Sequence, residues 1–189
     1  MDKIHSSFFS QDELNTLGFK SIGENVLISR YARFYDIQYI TIGNHVRIDD
    51  FCILSGNIFI GNYIHISAFC ALYGSKGIVL HDFSGLSPRT TIFSASDDFS
   101  GDFLTGPMIG KEYTYVKGGK VTIGEYTQIG ANSIILPNLK IGEGVAVGAL
   151  SLVNKSINSW GIYGGIPVKF IRKRSKGLLN CKKKLLDEK

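Results

Sequence analysis

Between residues 123 and 153 an aliphatic residue returns at every sixth position: Ile123, Ile129, Ile135, Ile141, Val147 and Val153. Glycine follows four of them, at Gly124, Gly130, Gly142 and Gly148, and the residue four places on is small or medium-sized, as in Thr127, Ser133, Val145 and Ser151. A period of six is neither the 3.6 of an amphipathic helix nor the 2 of a half-buried strand. It is the period of a parallel β-helix, where each hexad gives one short strand and one corner, and three hexads, about eighteen residues, close a turn. Successive turns then hydrogen-bond at the sheet spacing of about 4.8 Å. The fold class is therefore all-β.

The same phase continues backward through the chain. Anchors fall at Ile22, Ile28 and Phe34, at Ile42, Ile48 and Leu54, at Ile60, Ile66 and Leu72, and at Leu80, Leu86 and Ile92. Two-residue insertions, at Ile40 and Thr41 and at Ile78 and Val79, reset the frame, and about six turns are expected. Residues 98–122 break the register with a Gly-, Phe- and Tyr-rich insertion, and an irregular segment of that length in a repeat domain is functional or disordered. The expected organisation is a capping segment over 1–21, the β-helix over 22–158 and a basic tail with a helix over 159–189. In the first segment Ser10 caps a short helix with Asp12 and Glu13 in its first turn and Gly18 at its end. Such a cap covers a core and strand edges that would otherwise stay open.

Charge separates these parts. The chain carries +5, yet residues 169–189 alone hold nine Lys and Arg against two acids, so the remainder is slightly acidic. A basic tail without a reading element or motif argues against nucleic acid as a partner. No run approaches the roughly 18 apolar residues of a membrane span, and the start lacks the apolar core of a signal peptide, so no membrane insertion and a cytoplasmic location are expected. Three cysteines form no closed disulfide set, and Cys52 and Cys70, at equivalent inward positions one turn apart, are expected to stack as reduced thiols.

The chemistry is expected where the repeat stops. Asp97 and Asp98 stand at the lip of the insertion, where a carboxylate can hold a substrate ammonium and take its proton; an aspartate before Phe-Ser-Gly is also good turn chemistry. Ser87, directly after the anchor Leu86, points outward, and no His-Asp pair accompanies it in the sequence, which disfavours covalent serine catalysis. Gly130, Ala131, Gly148 and Ala149 are candidates to contact a thioester carbonyl through backbone N–H groups, and the pantetheine arm beside it. Lys155, Lys169 and Arg172 are candidates to pair with phosphates. Ser133 and Ser151 read as inward packing. His45, His65 and His81 are expected at corners in this register, with His81 able to face a subunit boundary, and His5 is expected in an unstructured start.

The repeated [LIV]-G-x-x-x-x units, the insertion opening DDFSG and continuing LTGP, the run IGANSIILPNLKIGEGVAVGALSLV and the terminal YGGIPVKFIRKR together resemble the hexapeptide-repeat acyltransferases over nearly the whole chain. Within these the sequence is most similar to the sugar-nucleotide N-acyltransferases of dideoxyamino-sugar pathways, such as the anthrose-type enzymes. The resemblance implies a left-handed parallel β-helix, a homotrimer with active sites between subunits, acetyl-CoA or another acyl-CoA as co-substrate, and a nucleotide-sugar substrate. It places the carboxylate that acts at the amine at Asp97 and a supporting hydroxyl at Ser87; from the residues themselves a substrate contact at Asp98, direct amine attack on the thioester and no metal are expected. An O-acetyltransferase is the alternative, for which a histidine base is expected. A γ-type carbonic anhydrase needs zinc-ligand histidine spacing that is not seen, and a scaffold without CoA binding is the reading outside enzymology.

Overall fold

The computed structural model describes residues 7–187, and His5 lies outside them. The chain winds into a left-handed parallel β-helix with three faces, each a column of anchors paired in parallel. On the first face Ile22, Ile42, Ile60, Leu80, Ile123 and Ile141 follow one another, with Ile157 bridged to Ile141. The second face runs Ile28, Ile48, Ile66, Leu86, Ile129, Val147 and Tyr163. The third runs Phe34, Leu54, Leu72, Ile92, Ile135 and Val153. Six turns are complete, and Ile157 and Tyr163 begin a seventh. Apart from Ile22 and Phe34 in the first turn, every anchor through Val153 is buried. At about 1.5–3 kcal/mol for each such aliphatic side chain, these columns are the main source of cohesion.

Cys52 and Cys70 are buried free thiols, as expected from their phase. Ser133 and Ser151 are buried too, and both hydroxyls donate to the Gly148 carbonyl.

The corner between the first and second faces carries a feature absent from the sequence reading. His45, Tyr63, Phe83, Tyr126 and Trp160 all sit there with φ between 57° and 58°, a left-handed conformation costing roughly 1–2 kcal/mol per residue. Ring stacking offsets part of that cost: His45 lies 4.6 Å from Tyr63, Tyr63 4.7 Å from Phe83, and Phe83 5.6 Å from Tyr126. Gly144 interrupts the ladder because a Cβ there would come within 2.5 Å of the Trp160 ring. The glycine lets Trp160 lean across a turn to within 6.2 Å of Tyr126.

One helix closes the N-terminal end and the other packs on the side of the coil. Helix α1, Gln11–Thr16, starts at Ser10 with a reciprocal Ser10–Glu13 capping box and buries Leu14 against the first turn. Helix α2, Leu178–Asp187, lies on the aromatic ladder, with the Lys182 ammonium 5.1 Å from the Phe83 and Tyr126 rings and donating to the Tyr126 hydroxyl at 2.5 Å. Arg174 donates to the carbonyls of Tyr126 and Val145 at 2.7 and 3.0 Å. Part of the basic tail thus fastens the helix to the coil.

Three details of the register differ from the sequence reading. Ile40 and Ile78 are buried and paired, Ile40 with Ile58 and Ile58 with Ile78, so the extra residues lie just before them, at the third-to-first corner. Val121 and Thr122 already pair with Ile78 and Val79 and belong to the coil rather than to the insertion. The coil also runs past residue 158, since Gly161–Gly164 stacks on Ala146–Val147 and is closed by the antiparallel strand Lys169–Lys173. Strand pairing, which hexad phase alone does not reveal, decides all three.

Candidate active site

The insertion leaves the third face after Thr91–Phe93 and rejoins the coil at Val121. Its neck is a two-stranded antiparallel pair, Ala95–Ser96 with Lys117–Gly118. Gly118 is required there, because a Cβ would meet the Ser94 carbonyl oxygen at 2.4 Å.

The two aspartates at the lip have opposite environments. Asp98 is buried, with Oδ1 accepting from Lys117 Nζ at 3.1 Å and Oδ2 from the Ser100 N–H and hydroxyl at 3.0 and 2.5 Å. The Ser100 hydroxyl foremost, then Lys117, lowers its pKa to about 2. Both oxygens are committed to the loop neck, so the expected substrate contact at Asp98 gives way to a fastening role, the turn-forming alternative noted above. Asp97 is exposed, and its carboxylate makes no hydrogen bond among the described residues. It faces a cleft of about 890 Å³ walled by Tyr73, Phe93, Phe99, Pro107 and Leu136. Tyr73 and Phe93 stack at 5.3 Å on that wall.

Ser87 follows Gly85–Leu86 at the corner where the second face meets the third, before Thr91–Phe93, and does not line this cleft. Its hydroxyl accepts from Gln128 Nε2 at 3.1 Å, and its carbonyl accepts from Thr90 Oγ1 at 2.8 Å and Cys70 Sγ at 3.2 Å. Gln128 was not singled out from the sequence, although its outward place before the anchor Ile129 was available as a signal. His65 is on the second face rather than at a corner, and its Nε2 meets Asp49 Oδ2 at 2.7 Å. A His-Asp pair therefore shares a face with Ser87, yet the partner of the Ser87 hydroxyl is Gln128, and no triad forms.

The backbone candidates separate by hydrogen bonding. The Gly130 and Gly148 N–H groups are committed to the Val147 and Tyr163 carbonyls, each at 2.8 Å. They are corrected as oxyanion donors, since rung pairing uses them. The Ala131 and Ala149 N–H groups have no acceptor among the described residues. Carried one residue past the paired anchors, the register aligns Ser87, Gly130, Gly148 and Gly164, with Gly164 opposite Lys169. The column from Ser87 to Lys169 spans four turn spacings, about 19 Å, and its three intervening positions carry no side chain. Arg172, opposite Ile162, ends the neighbouring column. Lys155 lies apart, on a cleft of about 530 Å³ with Trp160 and Phe170 at the end of the coil.

Among the described residues no group of three or more His, Cys, Asp or Glu is placed to hold a metal ion, and no helix is long and apolar enough to cross a membrane. Parallel coils stacked at a six-residue period and interrupted by one loop are the architecture of the hexapeptide-repeat transferases. Residues 120–155 match the bacterial transferase hexapeptide (six repeats) family. The chain is 42% identical over 92% of its length to an Escherichia coli dTDP-4-amino-4,6-dideoxy-D-glucose acyltransferase, of which it covers 92%. It superposes with a TM-score of 0.95 and 50% identity on a serine-to-cysteine variant of AntD, a Bacillus cereus N-acyltransferase, in complex with dTDP-4-amino-4,6-dideoxyglucose and coenzyme A, covering 98% of this chain and 100% of that one. The match to AntD with dTDP and 3-hydroxybutyryl-CoA is equally close, with a TM-score of 0.95, 51% identity and 97% and 98% coverage. The chain belongs to the family of the dTDP-amino-sugar N-acyltransferases.

Proposed function

We propose that the protein transfers an acyl group from acyl-CoA to the amino group of a dTDP-linked 4-amino-4,6-dideoxyhexose, through a site shared between neighbouring subunits of a homotrimer. The observation that carries this reading is the unengaged Asp97 carboxylate facing an apolar cleft that none of the described histidines lines. A carboxylate suits a substrate ammonium, which it holds and deprotonates to the nucleophilic amine, whereas an O-acylating site needs a stronger base for a hydroxyl. Solved forms of AntD include variants at a serine and at an aspartate, the two residue types assigned roles here.

The substrate ammonium passes one proton to Asp97, and the resulting neutral amine attacks the thioester carbonyl directly, its second proton leaving the nitrogen for the departing thiolate. The Ala131 N–H, beside Ser87, receives the developing oxyanion, and Ser87, oriented by Gln128, hydrogen-bonds at the reacting centre. Collapse forms the amide and expels CoA as the thiolate, which takes up a proton. The column of glycines accepts the extended pantetheine arm as a groove leading toward Lys169 and Arg172, whose charges suit the CoA phosphates.

Ser87 and Asp97 stand at opposite edges of the third face, so a centre using both draws them from two copies. That face and its flanking corner are apolar and exposed, with Ile134 41%, Phe69 47%, Phe51 52% and Leu150 64% accessible. Such a continuous patch fits a buried interface, and closed threefold association fits a three-faced prism. The acyl-CoA and nucleotide-sugar substrates agree with a cytoplasmic enzyme supplying a polysaccharide pathway.

Acetyl-CoA incubated with dTDP-4-amino-4,6-dideoxyglucose or with its 4-hydroxyl counterpart tests the reading. Amide from the first and no ester from the second is expected. Product from the hydroxyl compound alone would overturn it in favour of O-acylation.

A further inference from the structure

On the second face, below Ser87, a polar cluster lies outside both the Asp97 cleft and the glycine-floored groove. Arg47, His65 and Gly85 are successive partners there, Arg47 opposite His65 and His65 opposite Gly85. Asp49 joins the first two, with Oδ1 accepting from Arg47 Nε at 2.7 Å and Oδ2 meeting His65 Nε2 at 2.7 Å. Burial opposes the charge on Asp49, but the hydrogen bonds from Arg47 and His65 outweigh it and hold the carboxyl below its usual range. The Phe8 ring backs the guanidinium, 5.3 Å from its central carbon. An arginine with Nε fixed by a carboxylate and its plane against a ring is pre-organised to present its terminal nitrogens as a fork, the geometry that matches phosphate oxygens. Those nitrogens have no partner among the described residues, and the side chain is half exposed.

The cluster points along the face toward the reacting centre. Gly85 stands between the rungs of His65 and Gln128 without a side chain, and Gln128 passes over it, its Oε1 2.5 Å from where a Cβ would be, to reach Ser87. Arg47 is therefore two turns below Ser87, about 10 Å along the coil axis. A hexose ring with an amine at C4 and a phosphate on C1 spans a gap of this order. Asp49 presents no uncommitted oxygen toward this strip, and neighbouring Asp50 is bonded to the Ser29 hydroxyl.

We propose that Arg47 and His65 bind the diphosphate of the nucleotide-linked sugar. The substrate then lies along the second face with its phosphates at Arg47 and its amine at Ser87, opposite in direction to the acyl-CoA groove. Asp49 is a positioning residue that orients both cationic partners. This inference rests on the reading of the chain as a dTDP-amino-sugar N-acyltransferase.

Calorimetry of full-length Arg47→Met and His65→Phe with dTDP and, separately, with coenzyme A tests it. Binding of dTDP is expected to weaken at least tenfold in Arg47→Met and measurably in His65→Phe, while coenzyme A affinity and the melting temperature stay unchanged. In steady-state assays the loss falls on KM for the dTDP-amino sugar more than on kcat. If the wild type acylates the dTDP-amino sugar and both variants keep their dTDP affinity within twofold, the inference is overturned and the function stands. A wild type that neither binds dTDP nor acylates the sugar would overturn both.

Discussion

Asp97 and Asp98 are adjacent in sequence yet have different chemistry, because only Asp98 turns inward to Lys117 and Ser100. Asp97→Asn is expected to lower kcat by 10² or more, about 3 kcal/mol of transition-state stabilisation, without change in melting temperature, as read by steady-state kinetics and calorimetry. Asp98→Asn is expected to act on structure, accelerating hydrogen exchange at the Ser100 amide, whereas Asp97→Asn leaves that amide unchanged. The pH dependence has a defined sign. The folded-state pKa of Asp98 lies below its ordinary value of 3.8, at about 2, so its contribution to stability is full above the ordinary value and is lost as pH falls toward the folded one. An NMR titration of the Asp98 carboxyl should show its midpoint near the lower figure. The lip was legible in the sequence as the place where hexads stop. Which carboxylate stays open was not, because that depends on Lys117, reached only through the antiparallel neck.

At the scale of elements, the hexad places glycine after many anchors, and its meaning differs by position. Gly130 has no room for a side chain, a Cβ lying 2.5 Å from the Ala149 nitrogen, whereas at Gly148 the nearest atom is 3.6 Å away. Gly148→Val is therefore expected to leave the fold intact while its side chain fills the groove. KM for acyl-CoA should rise about tenfold or more with KM for the nucleotide sugar unchanged; equal KM values for acyl-CoA in both proteins would remove the groove assignment. The C-terminal helix was also foreseen, but its attachment was not. Lys182 reads as one charge in a basic run, and only the stacking of Phe83 on Tyr126, 43 residues apart in the chain, creates the surface it covers.

For the molecule as a whole, cohesion resides in the three anchor columns and function in the assembly of copies. Ile66→Ala, at a fully buried site in the middle of the second column, is expected to cost about 2–5 kcal/mol in denaturant unfolding. Association is expected to yield a trimer by sedimentation, and Leu150→Glu to weaken it together with activity. A sharper test mixes two inactive variants, Asp97→Asn and Ser87→Tyr. If each centre takes Ser87 from one subunit and Asp97 from its neighbour, co-refolded mixtures in random trimers recover roughly a quarter of wild-type activity. Recovery of none would place both residues in one subunit's site.

By itself the sequence determined the coil. A six-residue period in which every anchor is apolar has one economical solution, and its phase located the core, the buried thiols and the interrupting loop. The tertiary structure alone decided which groups are available for chemistry. Parallel rungs bring together residues 16 to 43 positions apart, and this pairing consumed the N–H groups of Gly130 and Gly148, set Gln128 over Gly85 against Ser87 and aligned Arg47 with His65. Hexad phase is a local property that tells whether a side chain points in or out. A site depends on neighbours across rungs, and insertion length shifts those neighbours without disturbing the phase.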